Sequence, residues 1–259
     1  MILQLNTADA RGYRSASQIA RVLTETWVGK NSFCPKCGKT KLERFENNQP
    51  VADFYCSDCK AEYELKSKKD SFALKIVDGA YEMMIKRINA QNNPHFFFLN
   101  YSSTNNQVIN FLVIPNHYFT KDVIEQRPPL SKNARRAGWI GCNILLQNIP
   151  TSGRIYLVKN HKIEDRKTVI ENWSKTSFLE KLRLESRGWT IEIMKIVEKF
   201  DTERFKLEDI YAFESSLEMK FPQNKFVKPK IRQQLQILRD KGMIEFLGNG
   251  KYKRICSYC

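Results

Sequence analysis

The sequence predicts an α/β (α+β) fold in two domains: a mixed-sheet domain over residues 1–182 with an inserted four-cysteine site, and a winged helix-turn-helix over residues 183–259. Three observations predict it. Strand-like and helix-like runs mix without strict alternation in the first part, which argues for a mixed sheet. Two CxxC pairs punctuate that part. Three amphipathic helices and a Gly-Asn-Gly hairpin close the chain. With 259 residues and 42% hydrophobic content the chain can bury two cores, and wholesale disorder is excluded.

The first helix is expected over Ser17–Gly29, with Ser17 as N-cap and Ile19, Val22, Leu23 and Trp27 on one face. Glu25 lies on it and reads as plain surface rather than as an acid of a site. Cys34-Pro-Lys-Cys37 follows, then 18 residues, then Cys56-Ser-Asp-Cys59. Two residues between cysteines let both sulfurs of a pair reach one ion, and Gly38 eases the first turn. Cys34, Cys37, Cys56 and Cys59 would fill the tetrahedral shell of Zn²⁺ and leave no position for water, so this zinc is structural rather than catalytic. Cys142 reads as a core thiol, and the Cys256/Cys259 pair at the end of the chain as incidental.

Pro50–Tyr55 and Ala61–Ser67 read as strands. Alternation puts Ala61, Tyr63 and Leu65 on one face of the second, and Glu62, Glu64 and Lys66 on the other. Asp53, eleven positions before Glu64, can meet it across an antiparallel pair. Two carboxylates suit a hard cation such as Mg²⁺, and a lysine beside them suits work on a phosphodiester. This is the PD-(D/E)xK nuclease pattern, with Asp53, Glu64 and Lys66 as candidate catalytic residues. The cysteines interleave with these acids, so a zinc there would clamp the turn between the two strands.

Asp78–Ala90 reads as a helix. Pro94–Leu99 and Val108–Ile114 read as strands joined by a loop over Ser102–Gln107, Arg154–Lys159 as a further strand and Thr168–Leu182 as a helix. Arg135 and Arg136, beside Gly138, Trp139 and Gly141, suit a DNA-facing loop: cations for phosphates, glycines for close approach and an aromatic for a base or its methyl.

Helices are then expected over Trp189–Phe200, Leu207–Phe221 and from Lys228, with Pro229 at its first position, to a stop at Gly242. The third carries Ile231, Leu235 and Leu238 on one side and Lys228, Lys230, Arg232, Gln233, Gln236 and Arg239 on the other. It is the recognition helix of this reading, and Lys251, Lys253 and Arg254 on the wing would lie along phosphates. Charge supports this. The chain carries +15 formally, and residues 220–259 hold +8 of it against −3 over 183–219. Met1–Gln18 is polar, and the longest apolar runs fall far short of the ~18 residues of a membrane helix. A cytoplasmic protein with reduced thiols, no membrane partner and a monomeric state in solution is expected.

Several long stretches resemble the DpnI-type methyl-directed restriction endonucleases. They are Phe45–Cys56, Glu64–Lys69, Asp78–Tyr81, Asn92–Pro94 with Phe96–Leu99, Ala134–Asn143, Ser186–Ile193 and Ile231–Lys241; the tail Cys256–Cys259 departs from that family. The resemblance implies a nuclease that cuts double-stranded DNA at GATC when its adenine carries an N6-methyl group, with both domains reading the site and Mg²⁺ required. It assigns catalysis to Asp53, Glu64 and Lys66, adds the Leu65 carbonyl as a further Mg²⁺ ligand, and makes the four cysteines the zinc ligands. The competing readings are a zinc-containing winged-helix transcription regulator and a nucleic-acid adaptor. Neither needs Asp53, Glu64 and Lys66 together.

Overall fold

The computed structural model describes residues 1–45, 52–72 and 74–255. Pro50 and Val51 of the expected first strand, and the Cys256/Cys259 pair, lie outside the described residues. The chain divides into two compact units, Met1–Ile149 with Gly153–Glu180 and Pro150–Ser152 with Lys181–Cys259. Among the described residues no helix is long and apolar enough to cross a membrane.

The first unit opens with helix α1 (Ala16–Asn31), then strands β1 (Glu43–Arg44), β2 (Phe54–Tyr55), β3 (Glu62–Lys69) and β4 (Lys75–Ala80), and helix α2 (Tyr81–Ala90). Strands β5 (His95–Tyr101), β6 (Val108–Ile114), β7 (Ile124–Gln126), β8 (Gly141–Leu145), β9 (Ile155–Lys159) and β10 (Lys162–Ile163) follow, and α3 (Arg166–Thr176) completes it. Seven strands form one sheet in the order β1-β2-β3-β5-β6-β9-β10, parallel between β3 and β5 and antiparallel elsewhere. This is the mixed sheet the sequence predicts. A second, antiparallel sheet has the order β4-β8-β7.

Strand β5 is buried at all seven positions, which is why its centre, Phe96–Leu99, is a continuous apolar run rather than an alternation. Phe97 packs with Phe111, which meets Trp27 of α1 edge-on, while Phe96 packs on Phe119. Both faces of the central strand are therefore covered. Emptying either by Phe→Ala would cost about 3–5 kcal/mol.

Several boundaries differ from expectation. Helix α1 begins at Ala16, so Ser15 rather than Ser17 stands at the N-cap, and the Ser15 and Ser17 hydroxyls bond each other at 2.9 Å. The helix expected over Asp78–Ala90 begins only at Tyr81, and Asp78 lies in strand β4. The β-branched pair Ile76-Val77 and the glycine after Asp78 favour a strand with a bulge over a helical turn. Helix α3 stops at Thr176, and residues Ser177–Lys181 tighten into a 3-10 turn.

His95, wholly buried at the start of β5, accepts a hydrogen bond on Nδ1 from the Asn116 N–H at 2.9 Å. Burial, reinforced by nearby His117, holds its pKa down at about 3. A histidine in the unfolded chain titrates near 6.5, so between those values the unfolded state binds one proton more. Stability conferred by neutral His95 is complete above pH 6.5 and is lost as pH falls, by about 1.4 kcal/mol per pH unit. The urea midpoint should therefore drop between pH 6.5 and 5, by about 2 kcal/mol in free-energy terms. His95→Asn should flatten that slope, and a wild-type midpoint constant over this window would contradict the account.

The second unit contains α4 (Leu184–Glu198), β11 (Arg204–Lys206), α5 (Leu207–Tyr211), α6 (Glu214–Lys220), α7 (Val227–Asp240), β12 (Ile244–Gly248) and β13 (Lys251–Arg254). Its sheet runs β11-β13-β12, all antiparallel. The single helix expected over Leu207–Phe221 is two, broken at Ala212-Phe213. Strand β11, too short to show a period, was not foreseen. Helix α7 begins at Val227, which makes Pro229 its third residue, still within the turn whose N–H groups lack helical partners. It ends as predicted at Gly242, with φ +68°: the Gly242 N–H reaches the Arg239 carbonyl and the Met243 N–H the Leu238 carbonyl, both at 2.9 Å. That is a Schellman motif. Asn249 and Gly250 both take positive φ, which closes the β12–β13 hairpin with a two-residue turn. Ile231, Leu235 and Leu238 of α7 are buried with Trp189, Ile193, Ile210 and Leu217.

Candidate functional site

The four cysteines converge. Their sulfurs all lie within 4.8 Å of one another, with Cys34 to Cys59 at 3.6 Å and Cys37 to Cys56 at 3.5 Å. A disulfide needs about 2.05 Å between sulfurs. Four thiolates about 2.3 Å from one Zn²⁺ lie roughly 3.8 Å apart, so the set is compatible with a tetrahedral zinc and not with two disulfides. Each pair sits in a tight turn closed from its first cysteine: the Gly38 N–H bonds the Cys34 carbonyl at 2.8 Å and the Lys60 N–H the Cys56 carbonyl at 3.0 Å. The residue after each second cysteine has positive φ, +81° at Gly38 and +59° at Lys60. The sequence signals the first of these through its glycine and hides the second.

The second turn is also the connection between β2 and β3. Phe54 pairs with Tyr63 and Tyr55 with Glu62, and Asp53 directly precedes the paired stretch. The Asp53 N–H bonds the Tyr63 carbonyl at 2.9 Å. The Asp53 carboxylate accepts a bond from the Leu65 N–H at 2.6 Å. Tyr63, the neighbour of Glu64, touches the Cys34 sulfur with its hydroxyl at 3.1 Å. The cysteine cluster and the acids thus share one strand-turn-strand. Its first strand is only two residues long and could not hold its place alone.

Glu64 and Lys66 are two apart on β3 and share a face, and their charged groups meet at 2.6 Å. The Lys66 ammonium also contacts the carboxylate of Asp78 and stands 5.9 Å from the centroid of the Phe96 ring. Burial alone would lower the lysine's pKa. Glu64 and Asp78 outweigh it and hold Lys66 above the ordinary lysine range. Burial pushes Glu64 up; Lys66 pulls it down, and the charges of Asp78 and Asp53 add to the rise, leaving it above the usual carboxylate value. A groove of about 290 Å³ opens beside Lys66, with Lys68 and Lys75 on its walls.

Glu25 is not plain surface. It is buried on α1, its carboxylate 2.5 Å from the Arg44 guanidinium. Burial, then the Asp53 charge, raise its pKa against the pull of Arg21 and Arg44. Its position three residues from both Val22 and Val28 beside the apolar stripe was the available signal. Asp78 was missed as a site residue because it was read as the start of a helix.

Arg135 and Arg136 are exposed near the tip of a closed loop between β7 and β8. The loop is zipped by Arg127 N–H to Gly141 carbonyl at 3.0 Å, Leu130 N–H to Trp139 carbonyl at 2.9 Å and Gly138 N–H to Leu130 carbonyl at 3.0 Å. Half-buried Trp139 lies so close over Gly141 that an added Cβ would come within 2.7 Å of its ring.

In the second unit Lys228, Arg232, Gln233 and Gln236 are exposed along α7, and Lys230 is half-exposed. Lys228 pairs with Glu214 at 3.2 Å. On the wing Lys251 is exposed, and Lys253 lies 3.8 Å from Glu203. Arg254, expected on phosphates, turns inward instead. Its guanidinium donates to the carbonyls of Val197, Glu198 and Phe200 at 3.1–3.3 Å and caps the end of α4. The Val197 and Glu198 carbonyls belong to the last turn of α4, which lacks helical partners, and a cation at a helix C-terminus satisfies both their lone pairs and the dipole.

Compared with known protein families, residues 1–182 match the DpnI model, described as the Dam-replacing family, and residues 185–254 match the DpnI_C model, described as the Dam-replacing HTH domain.

Proposed function

Because the chain belongs to the Dam-replacing (DpnI) family, we propose that it is a metal-dependent endonuclease that hydrolyses double-stranded DNA at GATC sites carrying N6-methyladenine. The observation that carries the reading is that Asp53, bonded to the Leu65 N–H, is brought beside the Glu64–Lys66 pair of β3, an arrangement a DNA-binding regulator has no use for.

Asp53 and Glu64, with the Leu65 carbonyl, would hold Mg²⁺. The donors are hard oxygens, and burial, with the charges of Asp78 and Asp53, holds Glu64 above its ordinary pKa, so a dication would favour its charged form. Bound there, the ion supplies Lewis-acid polarisation of the phosphate and a more acidic water. Lys66 orients the attacking water and offsets the negative charge that grows on the phosphate. Asp53 also fixes the backbone at Leu65 through its 2.6 Å bond, so one side chain sets both acid and carbonyl. Zinc in the four-cysteine site holds the turn between the strands and takes no part in the chemistry.

Recognition falls to α7, whose amino-terminal half would enter the major groove, with Lys251 and Lys253 on phosphates. Arg135 and Arg136 would serve as phosphate ligands of the first unit. The N6-methyl projects into the major groove, and in GATC the two adenines occupy adjacent base pairs. Burying one methyl contributes about 0.8 kcal/mol, less than a factor of ten. Two domains each testing the methyls would multiply that discrimination. Trp139 and the stretch Lys228–Gln236 are the proposed methyl-facing surfaces.

The test is digestion, with Mg²⁺, of one plasmid prepared from adenine-methylating and from non-methylating hosts. Only the methylated plasmid should be cut. Cutting of neither, with sequence-specific binding retained, would assign the protein to transcriptional regulation.

A further inference from the structure

Among the described residues Lys66 has two carboxylate partners, and they differ in kind. Glu64 lies on the same strand, and in the function proposed above it is a metal ligand. Asp78 comes from β4, in the other sheet of the first unit, and its side chain is only 5% exposed. Strand β4 departs from regular pairing at this point. Asp78 faces Cys142 and Ala80 faces Gly141, so Gly79 is an extra residue bulged out of the ladder with β8. A bulge bends the strand and re-aims the neighbouring side chain. Here it lies directly beside the residue that reaches Lys66. The Gly79 carbonyl meets the buried Cys142 thiol at 3.4 Å.

We propose that Asp78 is the permanent positioning partner of Lys66: it keeps the ammonium in place when Glu64 turns to the metal. The inference rests on the nuclease reading for its consequence, but not for its geometry. If Glu64 were the lysine's sole partner, each metal-binding event would release the ammonium into the site without a counter-charge. Lys66 would then either swing away or compete with the cation for Glu64. With Asp78 behind it, one partner can leave while the lysine stays. Asp78 touches no reacting atom in this account and acts only through Lys66.

Two measurements test this. The first needs no activity: the ¹H–¹⁵N signal of the Lys66 ammonium, protected from exchange by its partners, followed by NMR at low temperature. It should persist in Glu64→Gln and vanish in Asp78→Asn. The reverse pattern would overturn the proposal. The second is single-turnover cleavage of methylated duplex. Asp78→Asn should slow the step about 10²-fold, the scale of losing one preorganised electrostatic group, with duplex binding unchanged. Asp78→Glu should recover part of the rate. In a Lys66→Met background the same Asp78→Asn change should cost less than about threefold, because residues acting as a unit are not additive. A full further 10²-fold loss there would show that Asp78 acts independently, as a metal ligand, and would overturn the proposal. A wild-type protein that cuts no methylated DNA removes the nuclease reading, and the ammonium signal still decides who holds Lys66.

Discussion

Asp53→Ala is expected to lower single-turnover cleavage at least 10³-fold while binding to the methylated duplex survives, the loss of several kcal/mol of metal-assisted stabilisation at the phosphate. Alanine also strips the acceptor from the Leu65 N–H, so part of any loss could come from a disturbed strand. Asp53→Asn separates the two effects. Its side-chain oxygen can still accept that N–H, but it carries no charge to hold a cation. The charge account predicts that both variants are equally inactive and that both bind DNA when Ca²⁺ replaces Mg²⁺. Near-wild-type cleavage by Asp53→Asn would remove the Asp53 charge from the chemistry.

The second large effect concerns the four cysteines. The purified protein should contain one zinc per chain, and stripping it with a strong chelator should melt the hairpin of β1 and β2. Strands of two residues each have little intrinsic stability, and the connection from β2 to β3 is itself one of the cysteine turns. A structural zinc contributes on the order of 10 kcal/mol or more at neutral pH, comparable to the whole stability of a domain. Chelation should therefore lower the unfolding temperature sharply and abolish cleavage, with activity returning only when Zn²⁺ is restored together with Mg²⁺. A Cys56→Ser protein that still folds should bind Mg²⁺ more weakly, because Asp53 lies three residues before Cys56 and is joined to its turn only by the two residues of β2. An unfolding temperature indifferent to chelation, or unchanged Mg²⁺ affinity in Cys56→Ser, would contradict this role.

What the sequence made legible follows from the range of the forces involved. The CxxC pairs, the Glu64/Lys66 alternation and the glycine stop of α7 are local patterns, and each appears in the structure where its spacing puts it. The approach of Asp53 to β3 was legible because a short antiparallel connection leaves little choice of register. Asp78 was not legible. Its contact to Lys66 joins two sheets, depends on a bulge, and was masked by a stretch that also reads as helix. Glu25 misled because an acidic residue on an amphipathic helix is usually solvated; its place beside the apolar stripe was a weak signal, and the tertiary approach of Arg44 lies beyond local pattern. Arg254 misled for the opposite reason. A basic residue on a wing suits phosphate, yet the open carbonyls of α4 lie nearer.

Cleavage directed by an adenine methyl can be measured on two synthetic duplexes of identical sequence with one GATC, differing only in N6-methylation of both adenines. With Mg²⁺ and enzyme in excess, the methylated duplex should be cut within GATC, and the unmethylated one at least 10²-fold more slowly, beyond what one buried methyl accounts for. Equal rates on the two duplexes, or no cleavage of the methylated one by a protein that binds it, would contradict the account.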